Sequence, residues 1–165
     1  FDPKPITKEG VPAALEKAQL YRLLNEPSAA ESICLDVLAV EPDNQQAVVM
    51  QLLAISDQFG EELSMGVRRA REVLAAVREE YRRCYYAGII CERYGMAQLR
   101  HGTPRSAEGA YESLREAMGW YEQAEAMRPA GNDESILRWN TCARILDRHP
   151  EVAPAPEEAY EPCFE

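Results

Sequence analysis

Apolar residues recur at spacings of three and four along most of the chain, which is the pattern of amphipathic helices. No stretch alternates with a period of two for long enough to predict a strand. The sequence therefore predicts an all-α protein of about seven helices, with the bounds 12–25, 28–40, 45–58, 61–77, 80–100, 105–127 and 134–148.

Local signals predict where several of these helices begin. Ser28, followed three residues later by Glu31, matches a capping box. The segment 41–44 ends the second helix and supplies the cap of the third, and Thr103 is placed to cap the sixth. The boundary near residues 78–80 has no strong breaker. Because every connection is short, neighbouring helices are expected to form antiparallel hairpins.

Small and large side chains recur at similar spacings in successive hairpins along the chain. In residues 11–44, the small residue Ala18 lies three positions before Tyr21, Ala30 is the small residue of the second helix, and the segment 42–44 reads Pro-Asp-Asn. This unit resembles the tetratricopeptide repeat, a helix-turn-helix of 34 residues with small and large side chains at these spacings.

The later units keep the helical spacing of apolar residues but match the small and aromatic positions of the repeat less well. Residues 45–78 form a degenerate unit, and residues 79–131 form a longer third unit that recovers the family's spacing. The residues that carry it are Gly88 and Cys91 in the first helix and Ala117, Tyr121, Ala124 and Met127 in the second. A lone helix in 132–148 is expected to cap the array. The resemblance implies a right-handed superhelical stack of about three repeats, preceded by an N-terminal extension (1–10) and followed by an acidic, proline-rich tail (149–165).

In such stacks the first helix of each hairpin lines a concave surface. The resemblance therefore implies a scaffold that binds a peptide or protein segment there, with an acidic segment as one candidate. An alternative is that half of the apolar side chains on these helices pack against the adjacent helix. The side chains expected on the concave surface are Leu15, Gln19, Arg22, Val49, Leu53, Ser56, Arg82, Tyr85, Ile89, Arg93, Asn140 and Arg144.

Charge narrows the classes of partner. The 28 acidic and 18 basic side chains give a formal net charge of −10, which argues against a general binder of nucleic acid or of anionic membranes. Six arginines nevertheless crowd one section, offset by nearby glutamates. A solvated surface with (i, i+4) ion pairs is the favoured interpretation, and a nucleic-acid face or a site for an acidic segment are the alternatives. These arginines are Arg68, Arg69, Arg71, Arg78, Arg82 and Arg83.

Enzyme chemistry is not indicated. The two histidines, His101 and His149, lie at predicted helix breaks and have no partner at metal-binding spacing, and no phosphate-binding or nucleophile motif occurs. The five cysteines are scattered without a CxxC pair, which favours small buried side chains in a reducing compartment. We expect no enzyme activity, no cofactor, no metal, no membrane insertion and a cytoplasmic location. A start at Phe1 rather than Met suggests a fragment or a processed product.

The tail offers a second hypothesis. Residues 151–165 contain five glutamates, three prolines and no base, so they are expected to be extended. The tail is either a disordered spacer or a ligand-like strip, with Tyr160 and Phe164 docked in the concave groove of the same or a neighbouring molecule. The rival function is self-association, in which the long third hairpin, an uncapped end or this tail pairs with a second copy.

Overall fold

The computed structural model describes residues 1–60, 63–150 and 152, apart from the side chain of Pro104. Within these residues the chain is all-α and contains no strand, which confirms the predicted fold class. The helices are α1 (Val11–Leu23), α2 (Pro27–Val40), α3 (Gln45–Asp57), α4 (Leu63–Leu74), α5 (Glu80–His101), α6 (Pro104–Ala126) and α7 (Glu134–Arg148).

Most of the predicted helix ends lie within two residues of those in the structure, and α7 agrees at both ends. The boundary between the fourth and fifth helices had no clear signal in the sequence. In the structure α4 ends at Leu74, three residues before the predicted end, and turns follow it. Val77, which was expected in the helix, lies in this connection with its side chain 1% exposed. One short 3-10 turn, Lys8–Gly10, lies in the predicted N-terminal extension.

Two of the three predicted helix caps are confirmed, and the third is wrong. Asn44 Oδ1 accepts the N–H of Ala47 at 2.9 Å, and Thr103 Oγ1 accepts the N–H of Ser106 at 3.2 Å, so both predicted caps are confirmed. The capping box at Ser28 is wrong, because α2 already begins at Pro27 and Ser28 lies inside its first turn. A proline in the first turn needs no N–H partner and has its φ already fixed, so it starts the helix without a side-chain cap.

Each helix packs against the next one along the chain, and α1 also contacts α3, as α3 contacts α5. We call α1, α3, α5 and α7 the first helices and α2, α4 and α6 the second helices. Ion pairs also connect the second helices: Arg69 of α4 pairs with Glu31 of α2, and Arg71 Nη2 lies 3.9 Å from Glu116 Oε1 of α6. This packing is consistent with a helical repeat.

The core is divided among successive groups of three helices. One cluster joins α3, α4 and α5 around Leu52, Ile55 and Ile90, and another joins α5, α6 and α7 around Leu114 and Tyr121. Because α5 contributes to both clusters, much of its circumference is covered. No helix among the described residues is long and apolar enough to cross a membrane.

Gly88 of α5 and Tyr121 of α6 are in direct contact. A Cβ added at Gly88 of α5 would lie 2.4 Å from Cε1 of Tyr121, whose side chain is fully buried. Glycine at this position therefore lets α6 approach α5 closely. The same contact places the Tyr121 hydroxyl beside Glu92, on the side of α5 that faces α7.

Four of the cysteines are free and buried, which confirms their predicted burial; they are Cys34, Cys84, Cys91 and Cys142. Cys163 lies outside the described residues, as do the tail residues Tyr160 and Phe164. Val152 is the one residue beyond Pro150 that the structure describes. It is 5% exposed, and its N–H donates to the carbonyl of His149 at 2.9 Å.

Candidate functional site

An ion-pair chain crosses the first three of the first helices. Asp57, the last residue of α3, accepts Nε of Arg22 from α1 at 2.7 Å and Nη1 of Arg93 from α5 at 2.7 Å. The three side chains are 20–25% exposed. The carboxylate separates two guanidinium groups that would otherwise repel each other. It therefore fixes the spacing of α1, α3 and α5 on one surface, which we call the first-helix face.

Arg93 is the most strongly held member of this chain. Its Nη1 also donates to the carbonyl of Leu53 at 3.1 Å and to the hydroxyl of Ser56. Burial lowers the pKa of Arg93, and the carboxylate of Asp57 opposes that effect. Nη1 of Arg93 thus contacts three residues of α3.

A second polar cluster connects α5 to α6 and α7. The hydroxyl of Tyr121 donates to Oε2 of Glu92 at 2.6 Å, and Nη1 of Arg138 donates to Oε1 of the same carboxylate at 3.1 Å. Glu92 is 6% exposed, so its charge needs both partners. Burial, followed by the nearby Glu92, raises the pKa of Tyr121 well above its usual value. The cluster brings α7 into the row of first helices.

A pocket opens where the start of α5 meets the start of α7. Its volume is about 280 Å³, and we call it the tyrosine pocket. The rings of Tyr81 and Tyr85 are nearly parallel, with centroids 6.1 Å apart, and the ring of Tyr86 meets Tyr85 edge-on at 5.2 Å. The lining residues are Glu79, Tyr81, Arg82, Tyr85, Tyr86, Pro129, Asn132 and Glu134.

The hydroxyl of Tyr81 is a buried polar group without a hydrogen bond. Tyr81 is 7% exposed, and its hydroxyl finds no hydrogen-bonding partner among the described residues. Asn132 and Ser135 lie close enough to lower the pKa of this hydroxyl, but neither meets hydrogen-bond geometry. Burial is the larger influence and raises the pKa of Tyr81. The phenol is therefore neutral at physiological pH.

A different cavity, of about 330 Å³, lies between α4, α5 and α6 and contains Cys91. Burial raises the pKa of this thiol to about 12, so the nucleophilic thiolate is scarce at neutral pH. Within the described part of the chain, no cluster of three or more His, Cys, Asp or Glu side chains could hold a metal ion. His101 ends α5 and is exposed, and His149 follows α7 and is half-buried.

The residues expected on the concave surface fall into three groups. Gln19, Arg82 and Arg144 are exposed. A second group is half-buried on the first helices: Arg22, Val49, Leu53, Tyr85, Arg93 and Asn140. The third group is buried: Leu15, Ser56 and Ile89, at 5%, 3% and 1% exposure.

The expectation that Ile89 is available to a ligand is therefore wrong. Ile89 packs into the cluster formed by α5, α6 and α7, because α5 is covered on more than one side. Leu15 and Ser56 are also buried rather than available: Leu15 belongs to a cluster with Val37 of α2, and the hydroxyl of Ser56 accepts a hydrogen bond from Arg93. The structure brings Arg82 and Tyr85 together in the tyrosine pocket and keeps Leu53 between two core clusters.

The crowded arginines are paired with carboxylates or the backbone. Only Arg68 with Glu72 follows the expected (i, i+4) spacing, at 4.0 Å. The pairs of Arg69, Arg71 and Arg78 reach other parts of the fold, and Nε of Arg82 lies 3.0 Å from Oε2 of Glu79. Nη1 of Arg83 donates to the carbonyl of Val77. These arginines therefore connect helices and turns more than they form one charged strip.

Sequence reasoning missed several residues that build the first-helix face. Asp57, Glu92 and Arg138 are charged residues on predicted helices, and nothing in their local pattern indicates a buried partner. Arg22 and Asp57 are 35 positions apart, and Glu92 and Arg138 are 46 apart. The i, i+4 spacing of Tyr81 and Tyr85 was a detectable signal for the tyrosine pocket.

Comparison with known proteins gives no matching family model, no matching curated protein and no matching solved structure. The likeness to the tetratricopeptide repeat therefore rests on the residue spacings given above.

Proposed function

We propose that the protein is a non-enzymatic interaction scaffold of tetratricopeptide-like hairpins, which binds a peptide or protein segment of a partner on the first-helix face. The observation that carries the proposal is the ion-pair row: Arg22, Asp57 and Arg93 connect α1, α3 and α5, and Glu92 with Arg138 extends the row to α7. A rigid, continuous surface from four helices loses little entropy when it binds an extended ligand.

The ion pairs also indicate how a ligand would be held. Arg22 and Arg93 share the carboxylate of Asp57, and Arg138 pairs with Glu92, so each guanidinium already has a partner and would orient a ligand more than attract it. Affinity would come from apolar and aromatic contacts, to which the half-buried Val49 and Tyr85 contribute. A carboxylate of an acidic segment would find Arg144 exposed at the α7 end of the face.

Selection from a library of random 16-residue peptides, followed by anisotropy measurements of Kd, tests the proposal. Gln19→Glu and Arg144→Glu alter the face at its two ends. Ser32→Glu and Arg68→Glu make the same charge changes at exposed sites on the second helices. We expect the face variants to bind selected peptides at least about fivefold more weakly and the controls to stay within about twofold. Equal losses in both sets, or a library that yields no binder, would overturn the proposal.

Self-association is a second candidate, because one surface of α1 is unusually apolar. Leu20, Leu23 and Leu24 are 45%, 78% and 57% exposed at the end of the array. The candidate interface is therefore the open α1 end, in place of the long third hairpin. Light scattering across concentration should show a mass increase that Leu23→Glu abolishes. A constant monomer mass in the unsubstituted protein would remove this candidate.

A further inference from the structure

We propose that the tyrosine pocket binds one cationic side chain, a lysine or an arginine, of the partner segment. This inference rests on the proposed function, since it names the anchor by which that segment would be recognised. Three independent features of the pocket carry it: its size, its aromatic lining and its charge.

The size of the pocket suits a single side chain. Sites for small molecules typically enclose about 300–1,000 Å³, whereas the tyrosine pocket has about 280 Å³. It lies on α5 and at the start of α7, and it includes Tyr85, which the sequence placed on the binding surface. An extended peptide crossing the first-helix face could therefore insert one residue here.

The aromatic lining favours a cation. Tyr81, Tyr85 and Tyr86 form one connected group of rings. The face of an aromatic ring carries partial negative charge and attracts ammonium and guanidinium groups. Burial raises the pKa of Tyr81 and of Tyr86, so the rings act as neutral phenols across the physiological range.

The charges at the pocket favour the same sign of ligand. Its lining contains two carboxylates, Glu79 and Glu134, and one guanidinium, Arg82. Arg82 pairs with Glu79 at 3.0 Å, whereas Glu134 takes part in no ion pair among the described residues. One negative charge is therefore left over. An acidic side chain would be repelled here, and an apolar one would leave the carboxylate of Glu134 without an ion-pair partner.

The buried hydroxyl of Tyr81 adds a polar requirement. Tyr81 lines the pocket at 7% exposure, and its fully buried hydroxyl lacks a hydrogen-bond partner within the described structure. An unsatisfied buried polar group costs about 1–3 kcal/mol. The oxygen of this hydroxyl can accept an N–H of a lysine or arginine that enters the pocket, whereas its own O–H still needs an acceptor.

The test uses three blocked pentapeptides, Ac-Ala-Ala-X-Ala-Ala-NH₂, with X as lysine, norleucine or glutamate. Norleucine is the matched control, because it retains the aliphatic chain and lacks the charge. Binding to the full chain is followed by NMR shifts of the tyrosine rings and of the amides around Glu134. We expect saturable shifts with the lysine peptide, weaker ones with norleucine by about two- to fivefold, and none with glutamate.

Two variants locate the effect. Glu134→Gln should lower the affinity for the lysine peptide and leave that for norleucine unchanged, whereas Glu108→Gln, at an exposed site of α6 outside the pocket, should change neither. Tyr86→Leu should weaken both peptides. If Tyr86→Leu disturbs folding by circular dichroism, Glu134→Gln, at an exposed position, still decides the question.

Equal shifts from the lysine and norleucine peptides, or lysine binding that Glu134→Gln does not change, would overturn this inference. The two proposals fail separately. If peptides selected from the library bind the first-helix face and ignore Glu134→Gln, the scaffold function stands and the cation pocket is wrong. If no peptide is selected but the lysine peptide fills the pocket, the pocket stands and the scaffold function is wrong.

Discussion

Replacing Gly88 by alanine should destabilise the protein strongly, although alanine is the better helix former. The added Cβ would lie 2.4 Å from Cε1, 2.7 Å from Cδ1 and 2.8 Å from Cζ of Tyr121. Carbon atoms pack best at about 3.5–4.0 Å, so the ring would have to move by roughly 1 Å. Tyr121 is fully buried and its hydroxyl is bound to Glu92 at 2.6 Å, so this movement also strains the polar cluster with Arg138.

The magnitude follows from three effects. Overpacking of a core typically costs about 1–3 kcal/mol, and loss of a hydrogen bond to a charged group costs about 1.5–3 kcal/mol. Alanine recovers about 0.5–1 kcal/mol over glycine in a helix interior. We therefore expect Gly88→Ala to lower the free energy of unfolding by about 2–5 kcal/mol.

Urea denaturation followed by circular dichroism measures this change. Gly119→Ala is the matched control, because Gly119 lies within α6 and, apart from its chain neighbours and the backbone of its own helix, no atom of the described residues lies within 4 Å of its added Cβ. The control should raise the free energy of unfolding by about 0.5–1 kcal/mol. In a double-mutant cycle, Tyr121→Leu should recover at least about 1 kcal/mol of the cost of Gly88→Ala. If Gly88→Ala stabilises the protein as much as the control does, the close approach of α5 and α6 is wrong.

Three further predictions concern the caps, the thiols and the ion-pair row. Asn44→Ala should lower the free energy of unfolding by about 1 kcal/mol, because the N–H of Ala47 loses its acceptor; an unchanged urea midpoint would contradict the cap. Stability should fall as pH rises above about 9, because burial raises the pKa of three thiols from 9.0 to about 12, so the folded state holds protons that the unfolded state releases. Each thiol adds a slope of up to about 1.4 kcal/mol per pH unit, and urea titrations between pH 8 and 10.5 that show no slope would refute the assignment. The thiols are those of Cys34, Cys91 and Cys142. Asp57→Asn should cost about 1–2 kcal/mol at low salt and less in 1 M NaCl, because Arg22 and Arg93 then repel each other across a screened gap; a loss independent of salt would argue against repulsion.

The helices could be predicted from the sequence because their signals are local. Periodic apolar residues, Asn44 and Thr103 each act within a few positions of where they stand, and the structure places them as expected. The prediction of a cap at Ser28 was wrong because two signals for a helix start, Pro27 and Ser28, are adjacent in the sequence. Pro27 begins the helix one residue earlier, and Glu31, the supposed partner of the cap, is buried and pairs with Arg69 instead.

The candidate site could be predicted only in part, since burial depends on which helices cover a residue. Ile89 has the helical phase of a surface residue on a hairpin, but α5 also packs against its neighbours and buries it. Arg82 and Tyr85, which the helical phase selected, keep part of their surface uncovered in the tyrosine pocket. Glu134 was missed because it joins the tyrosine pocket only through the placement of α7, about 50 positions along the chain from those residues.

The ion pairs between alternate helices limit how freely the units could be exchanged or deleted. Removal of residues 45–78 would take away Asp57, the partner of both Arg22 and Arg93, and Arg69, the partner of the buried Glu31. An unpaired charge inside a fold costs several kcal/mol. The helix hairpins of this chain are therefore not interchangeable modules, and removing or adding one of them requires simultaneous changes in the hairpins on both sides of it.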